Sequence, residues 1–257
     1  MAASETRATI PLLLSLNAGY VDTAGFLALQ GLFTAHVTGN FVTLGASLAL
    51  GTSGAIAKLL ALPVFCAVVI ASRLLGTLLS SRFGAVFEVL LGLKVLLLIG
   101  GAVLAIKWGP FHDGDSWHAI LTGMILVAAM AIQNAVHRIH LGSSPPSTLM
   151  TGTTTQIMID LADKMYMSAG EKGQSGSRLA QMSTNVLVFA IGCGAAALLY
   201  TRLGVWCFAL PPILGILALV LRLAGRPKTG PCPPGGAGIR AITASPSPFW
   251  GPILYSR

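Results

Sequence analysis

Charge is what this chain has least of. Of its 257 residues only 9% are Asp, Glu, Lys or Arg, while 54% are hydrophobic. Soluble domains carry about 25% charged residues, so a water-facing surface over most of the chain is excluded. Acidic residues are scarcest, 8 against 16 Lys and Arg, for a net charge of +8. The basic residues gather in loops and at the C-terminus, where they set membrane topology and meet anionic headgroups. Nucleic acid is therefore not an implied partner. Cys66, Cys193, Cys207 and Cys232 form no CxxC pair or metal-ligand spacing, which argues against a thiolate metal centre or a redox motif. The first three lie in or beside apolar runs, where a thiol packs as a small hydrophobe. No P-loop, zincin or nucleophile–base pattern occurs. No enzyme, cofactor or metal site is expected.

Apolar length is what the chain has in abundance, with a mean hydropathy of +0.78. Runs near the ~20 residues that cross a ~30 Å hydrocarbon core fall at roughly 11–31, 59–80, 86–106, 117–138, 182–201 and 204–223. They define an all-α integral membrane protein, a polytopic helical bundle whose first partner is the lipid bilayer. Residues 1–10 carry Glu5 and Arg7 and lead into a run without a small-residue cleavage site, so a retained first span with a cytoplasmic N-terminus is expected. Residues 107–116 (KWGPFHDGDS) read as a turn-rich loop and 164–178 (KMYMSAGEKGQSGSR) as a flexible connection. The basic, Pro- and Gly-rich tail over 225–257 reads as disordered.

A short pattern occurs twice. Residues 37–49 read VTGNFVTLGASLA and residues 150–162 read MTGTTTQIMIDLA. Each copy follows a long apolar run and precedes two more. The transmembrane domain over 11–223 thus divides into related halves, about 11–106 and 117–223, each long, short, long, long. The short segments, about 37–50 and 148–163, are below spanning length. If both are re-entrant or broken, six full spans result and the halves are inverted. If both cross, eight spans result and the halves are parallel. Loop Lys and Arg do not decide. With the N-terminus inside, the re-entrant version puts Arg7, Arg82, Arg138, Lys164, Lys172, Arg178, Arg222, Arg226 and Lys228 inside. The eight-span version trades Arg82 and Arg138 for Lys58 and Lys107. Length favours the re-entrant version, and both versions put both termini in the cytoplasm.

Polar groups inside apolar runs are the candidate site, because an ionisable group at membrane depth costs about 2.5–3.5 kcal/mol on insertion scales. Asp22 stands in LNAGYVDTAGFLAL. It is either a proton, cation or solute site or a structural carboxylate tying two helices. The Thr38-Gly39-Asn40 and Thr151-Gly152 starts offer helix N-termini with N-cap threonines, and two of them facing one pocket suit an anion or a polar neutral solute. His36 precedes the first copy and titrates near neutral pH in its ordinary state. In the run 117–138 and just beyond, Asn134, His137 and Arg138 share a helical face. Gln133 and Asn134 are expected to face the interior, while Arg138 and His140 form an interfacial end. His137 and His140 have ligand-like spacing but no carboxylate or Cys nearby in sequence. Glu88 and Lys94, six residues apart, do not pair on one helix, so each meets another helix or the headgroups. Asp160 aligns with Ser47, so the repeat does not preserve that charge.

The string AGYVDTAGFLALQGLFTAHVTGNFVTLGASLA over 18–49, with Gly19-Tyr20-Val21-Asp22, Gly25-Phe26 and His36-Val37-Thr38-Gly39-Asn40, resembles the opening of the bacterial YoaK-like family (DUF1275). AMAIQNA at 129–135 and MTGTTTQ at 150–156 extend the resemblance over about 11–223. It implies an uncharacterised multi-pass protein of the bacterial inner membrane and supplies no substrate. The resulting expectation is a small-solute permease. Its midplane site would be lined by Asp22, His36, Thr38, Gly39, Asn40, Gln133, Asn134, Thr151 and Gly152. The alternative is a non-transporting membrane scaffold or stress-associated protein. No oligomeric state is implied.

Overall fold

The structure, a computed structural model, describes residues 2–80, 85–142, 144–148, 150–166 and 172–225. The tail from 226 onward, Arg82 and the middle of the 164–178 connection lie outside the described residues. The described chain is helical, in the order α1 (Ala2–Ala28), α2 (Gly39–Leu50), α3 (Ala55–Ser80), α4 (Val86–Trp108), α5 (Trp117–His140), α6 (Met150–Tyr166), α7 (Lys172–Leu203), a 3-10 turn (Gly204–Ala209) and α8 (Leu210–Ala224).

The stretches Thr9–Ala28, Ala55–Leu79, Val86–Trp108, Trp117–His140 and Gly176–Ala224 are long and apolar enough to cross a bilayer. The last of them is a hairpin, broken at the 3-10 turn where Gly204 takes a φ of +56°. The span expected over 204–223 therefore starts later, at Leu210. The flexible connection expected over 164–178 is also shorter, because α6 runs to Tyr166 and α7 already begins at Lys172. Ser and Gly at a helix start are tolerated once the adjoining apolar length is fixed by packing.

α1 packs most extensively on α7, and α3 packs on α5 in the same way; α2 lies on α3 and α6 on α7, while α4 lies on α5 and α8 on α1. The α1–α7 crossing is set by absent side chains. A Cβ on Gly19 would lie 2.3 Å from the Phe189 carbonyl oxygen, and one on Gly192 would lie 2.3 Å from that of Leu16. Backbones this close gain dispersion and polar contacts that lipid cannot supply.

The short helix α2, with 12 residues, is below spanning length. Where α1 ends, Gln30 donates through Nε2 to the Phe111 carbonyl at 2.9 Å. Where α2 ends, Gly114 N–H donates to Ser53 Oγ at 3.1 Å. The Asp115 carboxylate accepts from the N–H groups of Gly54, Ala55 and Ile56 at 2.9, 3.2 and 2.8 Å, capping α3 from another loop. The end of α1, the end of α2 and the 109–116 loop thus share one face. Between them the chain dips inward far enough for residues 34–36 to reach Asp22, about 9 Å back along α1 at 1.5 Å per residue. The opposite face carries the junction of Glu88 on α4 with Arg222 on α8, at 3.1 Å, beside Phe87 and His140.

Two measurements check this frame. With the native cysteines replaced, cysteines at Gln30 and Thr52 are expected to react with an impermeant maleimide from the same side as one at His112; labelling from opposite sides would mean that α2 crosses. Gly192→Val is expected to lower thermal stability by about 1–3 kcal/mol or more. Gly194→Val, with nothing within 4 Å of its Cβ position, should stay near wild type in the same melt.

Candidate functional site

Two segments turn inside the bundle, residues 32–38 before α2 and 144–148 before α6. Backbone that turns inside a membrane protein has no water to satisfy it and needs partners from the protein. Asp22 supplies them to the first segment. Its Oδ1 accepts from Thr34 and Ala35 N–H at 2.8 and 2.7 Å, and more weakly from His36 N–H at 3.4 Å. His36 Nδ1–H donates to its Oδ2 at 2.6 Å. Asn40 closes the turn further, accepting from Phe33 N–H and donating to the Phe33 carbonyl, both at 2.8 Å.

This arrangement changes the role of the first Thr-Gly start. Thr38 occupies the N-cap of α2 without a side-chain capping bond. The donors that looked free are taken locally: Gly39, Asn40 and Phe41 N–H bond the carbonyls of His36, Val37 and Thr38 at 2.8, 3.1 and 3.2 Å. Gly39 lies under the Phe33 ring. The anion seat of the first segment is filled by the chain's own carboxylate.

The second segment is held by amides. Gln133, fully buried, donates through Nε2 to the Leu14 carbonyl at 2.8 Å and to Ser147 Oγ at 3.2 Å. Its Oε1 accepts from Lys94 Nζ at 2.6 Å. Asn134 Oδ1 accepts from the Thr148 hydroxyl. Asn185 on α7 donates to the Pro146 carbonyl at 3.0 Å and accepts from Ser15 on α1. The segments lie against each other, with the His36 imidazole beside the backbone of Thr148. It stacks edge-on against Phe189, with ring centres 5.5 Å apart.

Beside the second segment lies a cavity of about 240 Å³ lined by Asn134, His137, Arg138, Ser144, Ser147 and Thr148 over an apolar floor of Phe65 and Val69. An adjoining space of about 490 Å³ carries Gly152, Thr153, Gln156, Arg178 and Gln181. Among the described residues no carboxylate lines either one. Of the nine residues expected to line one midplane pocket, Asn134 and Gly152 border these cavities. Asp22, His36, Asn40 and Gln133 brace the inward segments. Thr38 and Gly39 belong to the α2 start. Thr151 is the second residue of α6 and faces outward with Thr154 and Thr155. Sequence reasoning passed over Ser144, Ser147, Thr148 and Asn185, polar residues in or beside apolar runs whose partners are remote in sequence. Among the described residues no cluster of three or more His, Cys, Asp or Glu could hold a metal.

A bundle with spanning helices and two inward-turning segments is the architecture of a polytopic helical membrane protein. The chain matches, over residues 10–221, the family described as "Protein of unknown function (DUF1275)". It belongs to that family. It is similar to the UPF0700 transmembrane protein YoaK of Bacillus subtilis (strain 168), at 32% identity over 178 residues, covering 67% of this chain and 75% of that protein. No solved structure matches the chain.

The contact of His36 with Asp22 is expected to make stability pH-dependent. Its hydrogen bond raises the His36 pKa from the usual 6.5, against a smaller opposing effect of burial. Stability from such a group is fully present below the unfolded value and is lost as pH rises through the higher folded value. Thermal melts of the wild type are therefore expected to fall between about pH 6.5 and the folded value. Asp22→Asn should remove that slope and cost about 1–3 kcal/mol at low pH by weakening the acceptor. A slope unchanged in Asp22→Asn would mean that another group titrates.

Proposed function

We propose that this protein is a small-solute permease of the bacterial inner membrane, and that its solute is a small anion or a polar molecule with an anionic end. The observation that carries this reading is the pair of cavities beside the 144–148 segment, bordered by Arg138, Arg178, His137 and neutral amides, with no carboxylate among the described residues.

The reading is sharpened by treating the halves as inverted repeats. Helix pairings favour this: α1 with α7 answers α5 with α3, and α2 with α3 answers α6 with α7. Asp22 lies 14 residues before His36, its partner in the first segment. Asn134 lies 14 residues before Thr148, its partner in the second. The first half carries its own anion at this position. The second has a neutral amide, an open cavity and two arginines nearby, the setting in which a solute anion supplies the missing charge. Inverted halves with the solute at inward-turning segments are a recurrent transporter plan. The re-entrant arrangement also gathers Arg7, Arg138, Lys164, Lys172, Arg178 and Arg222 toward the face of the N-terminus, against Lys58, Lys107 and Arg202 on the other. By the positive-inside rule this supports a cytoplasmic placement of both termini.

A non-transporting scaffold is the second reading. It is favoured by the way Asp22 and Asn40 spend their bonds on the chain itself.

The purified protein in detergent, warmed with formate, acetate, lactate, phosphate or sulfate and with matched neutral and cationic solutes, is expected to be stabilised selectively by an anion. A gain of about 2.7 kcal/mol at one hundred times Kd is the scale expected for one site. Arg138→Gln and Arg178→Gln, at exposed residues bordering the two cavities, should each weaken that shift at least tenfold in apparent affinity while melting normally alone. No shift with any solute, together with no flux in proteoliposomes, would leave the scaffold.

A further inference from the structure

Lys94 is fully buried near the centre of α4, and its Nζ has one acceptor, Gln133 Oε1 at 2.6 Å. Among the described residues no carboxylate partners it. Glu88, the acid on its own helix, is engaged with Arg222 of α8 at 3.1 Å. One turn along α1 from Leu14, Asn17 is fully buried, and both polar atoms of its side-chain amide are without a partner among the described residues. A charged ammonium in a dry interior normally has a counter-ion, and a buried amide normally has partners.

We propose that Lys94 is a proton-exchanging site inside the bundle, and that its ammonium form holds, through Gln133, the 144–148 segment that lines the cavity. The step breaks one Nζ–H bond, leaves its electron pair on nitrogen and passes the proton to water, and it reverses without any other reactant. Its consequence follows from the inventory of donors. An ammonium has only donors, so it fixes the Gln133 amide with Oε1 toward Lys94 and Nε2 toward Leu14 and Ser147. An amine accepts as well as donates, which frees the amide to turn over. The turned amide gives Nε2 to Lys94 and meets the Ser147 hydroxyl with its oxygen, and the bond to Leu14 is lost. Proton binding and the placement of the segment are thereby linked. Asn17 supplies unused polar atoms beside Leu14 for a water that relays the proton.

Other titratable groups face this region. His137 on α5 approaches the Ser144 carbonyl at 3.4 Å through Nε2, and Arg138 follows it on the same helix. His36 reaches Thr148 from the first segment. Arg222, Glu88, Arg73 and His140 lie together nearer the membrane face. α1 contributes the neutral Asn17, and α8 contributes Gly215 beside it. A pH response of the segment must therefore be assigned by substitution.

The inference rests on the permease reading only for what the cavity is for. The test uses the full chain in nanodiscs, with native cysteines replaced and a nitroxide on Ser144→Cys, titrated from pH 5 to 10 without solute. The wild-type spectrum is expected to switch between two forms with a one-proton midpoint. Lys94→Met, which carries no titrating group, should give one pH-independent spectrum; Lys94→Arg, always charged, should hold the low-pH spectrum. His137→Gln and His36→Gln should keep the wild-type midpoint. The proposal is overturned if Lys94→Met titrates as wild type does, if either histidine variant abolishes the switch, or if the wild type shows no switch. Lys94→Met removes a buried charge and is expected to fold, so it decides alone if the arginine variant does not assemble. Because the label reads the segment with no solute present, a failed titration leaves the anion-shift experiment standing, and the reverse also holds.

Discussion

Peptide groups that turn inside a membrane protein must be bonded by the protein, since lipid offers neither donors nor acceptors. Both inward segments obey this constraint, and much of the bundle is arranged around it. Asp22 gathers the N–H groups of 34–36 onto one carboxylate, and Asn40 closes Phe33 from the other side. Gln133, Asn134 and Asn185 do the same work for 144–148 from two different helices. The close α1–α7 crossing, made at Gly19 and Gly192, belongs to the same arrangement: α7 carries Asn185 beside Ser15 of α1, where it reaches the second segment.

The two segments use different chemistry for the same task. A carboxylate accepts several N–H bonds at once and gains from each, so the first segment is closed by its own anion and partly shielded by His36. An amide gives and takes in equal measure and brings no charge. The second segment is accordingly looser on one side, where the cavities open toward Arg138 and Arg178. Lys94 adds a charge one bond removed from that segment, with Gln133 as the link. Polar groups that brace the fold and polar groups that face the cavity are thus neighbours in one network.

Much of this could be read along the chain. The apolar runs gave spans within a few residues of the helices, and the two Thr-Gly segments marked the short helices at 39–50 and 150–166. Asp22, His36, Asn40, Gln133 and Asn134 stood out because a polar side chain in an apolar run needs a reason. Their division of labour could not be read. Asp22 serves backbone 12 to 14 residues away, and Gln133 serves Leu14 at a separation of 119. Ser147, Thr148 and Asn185 resemble ordinary loop and helix residues until those partners are known.

The sequence by itself determined the helical membrane class, the places where the chain is too short or too polar to cross, and the residues for which lipid is an unfavourable neighbour. These are properties of local composition, because bilayer thickness and the loss of water act on every segment separately. Tertiary structure decided that the first short helix starts inside the bundle and ends beside the end of α1, since that depends on Gln30, Ser53 and Asp115 meeting across the ends of five helices. It also decided that the helix-start donors of α2 are already occupied, and that the open polar space lies beside the second segment. Those outcomes rest on hydrogen bonds between residues far apart in the chain, and only packing brings such partners together.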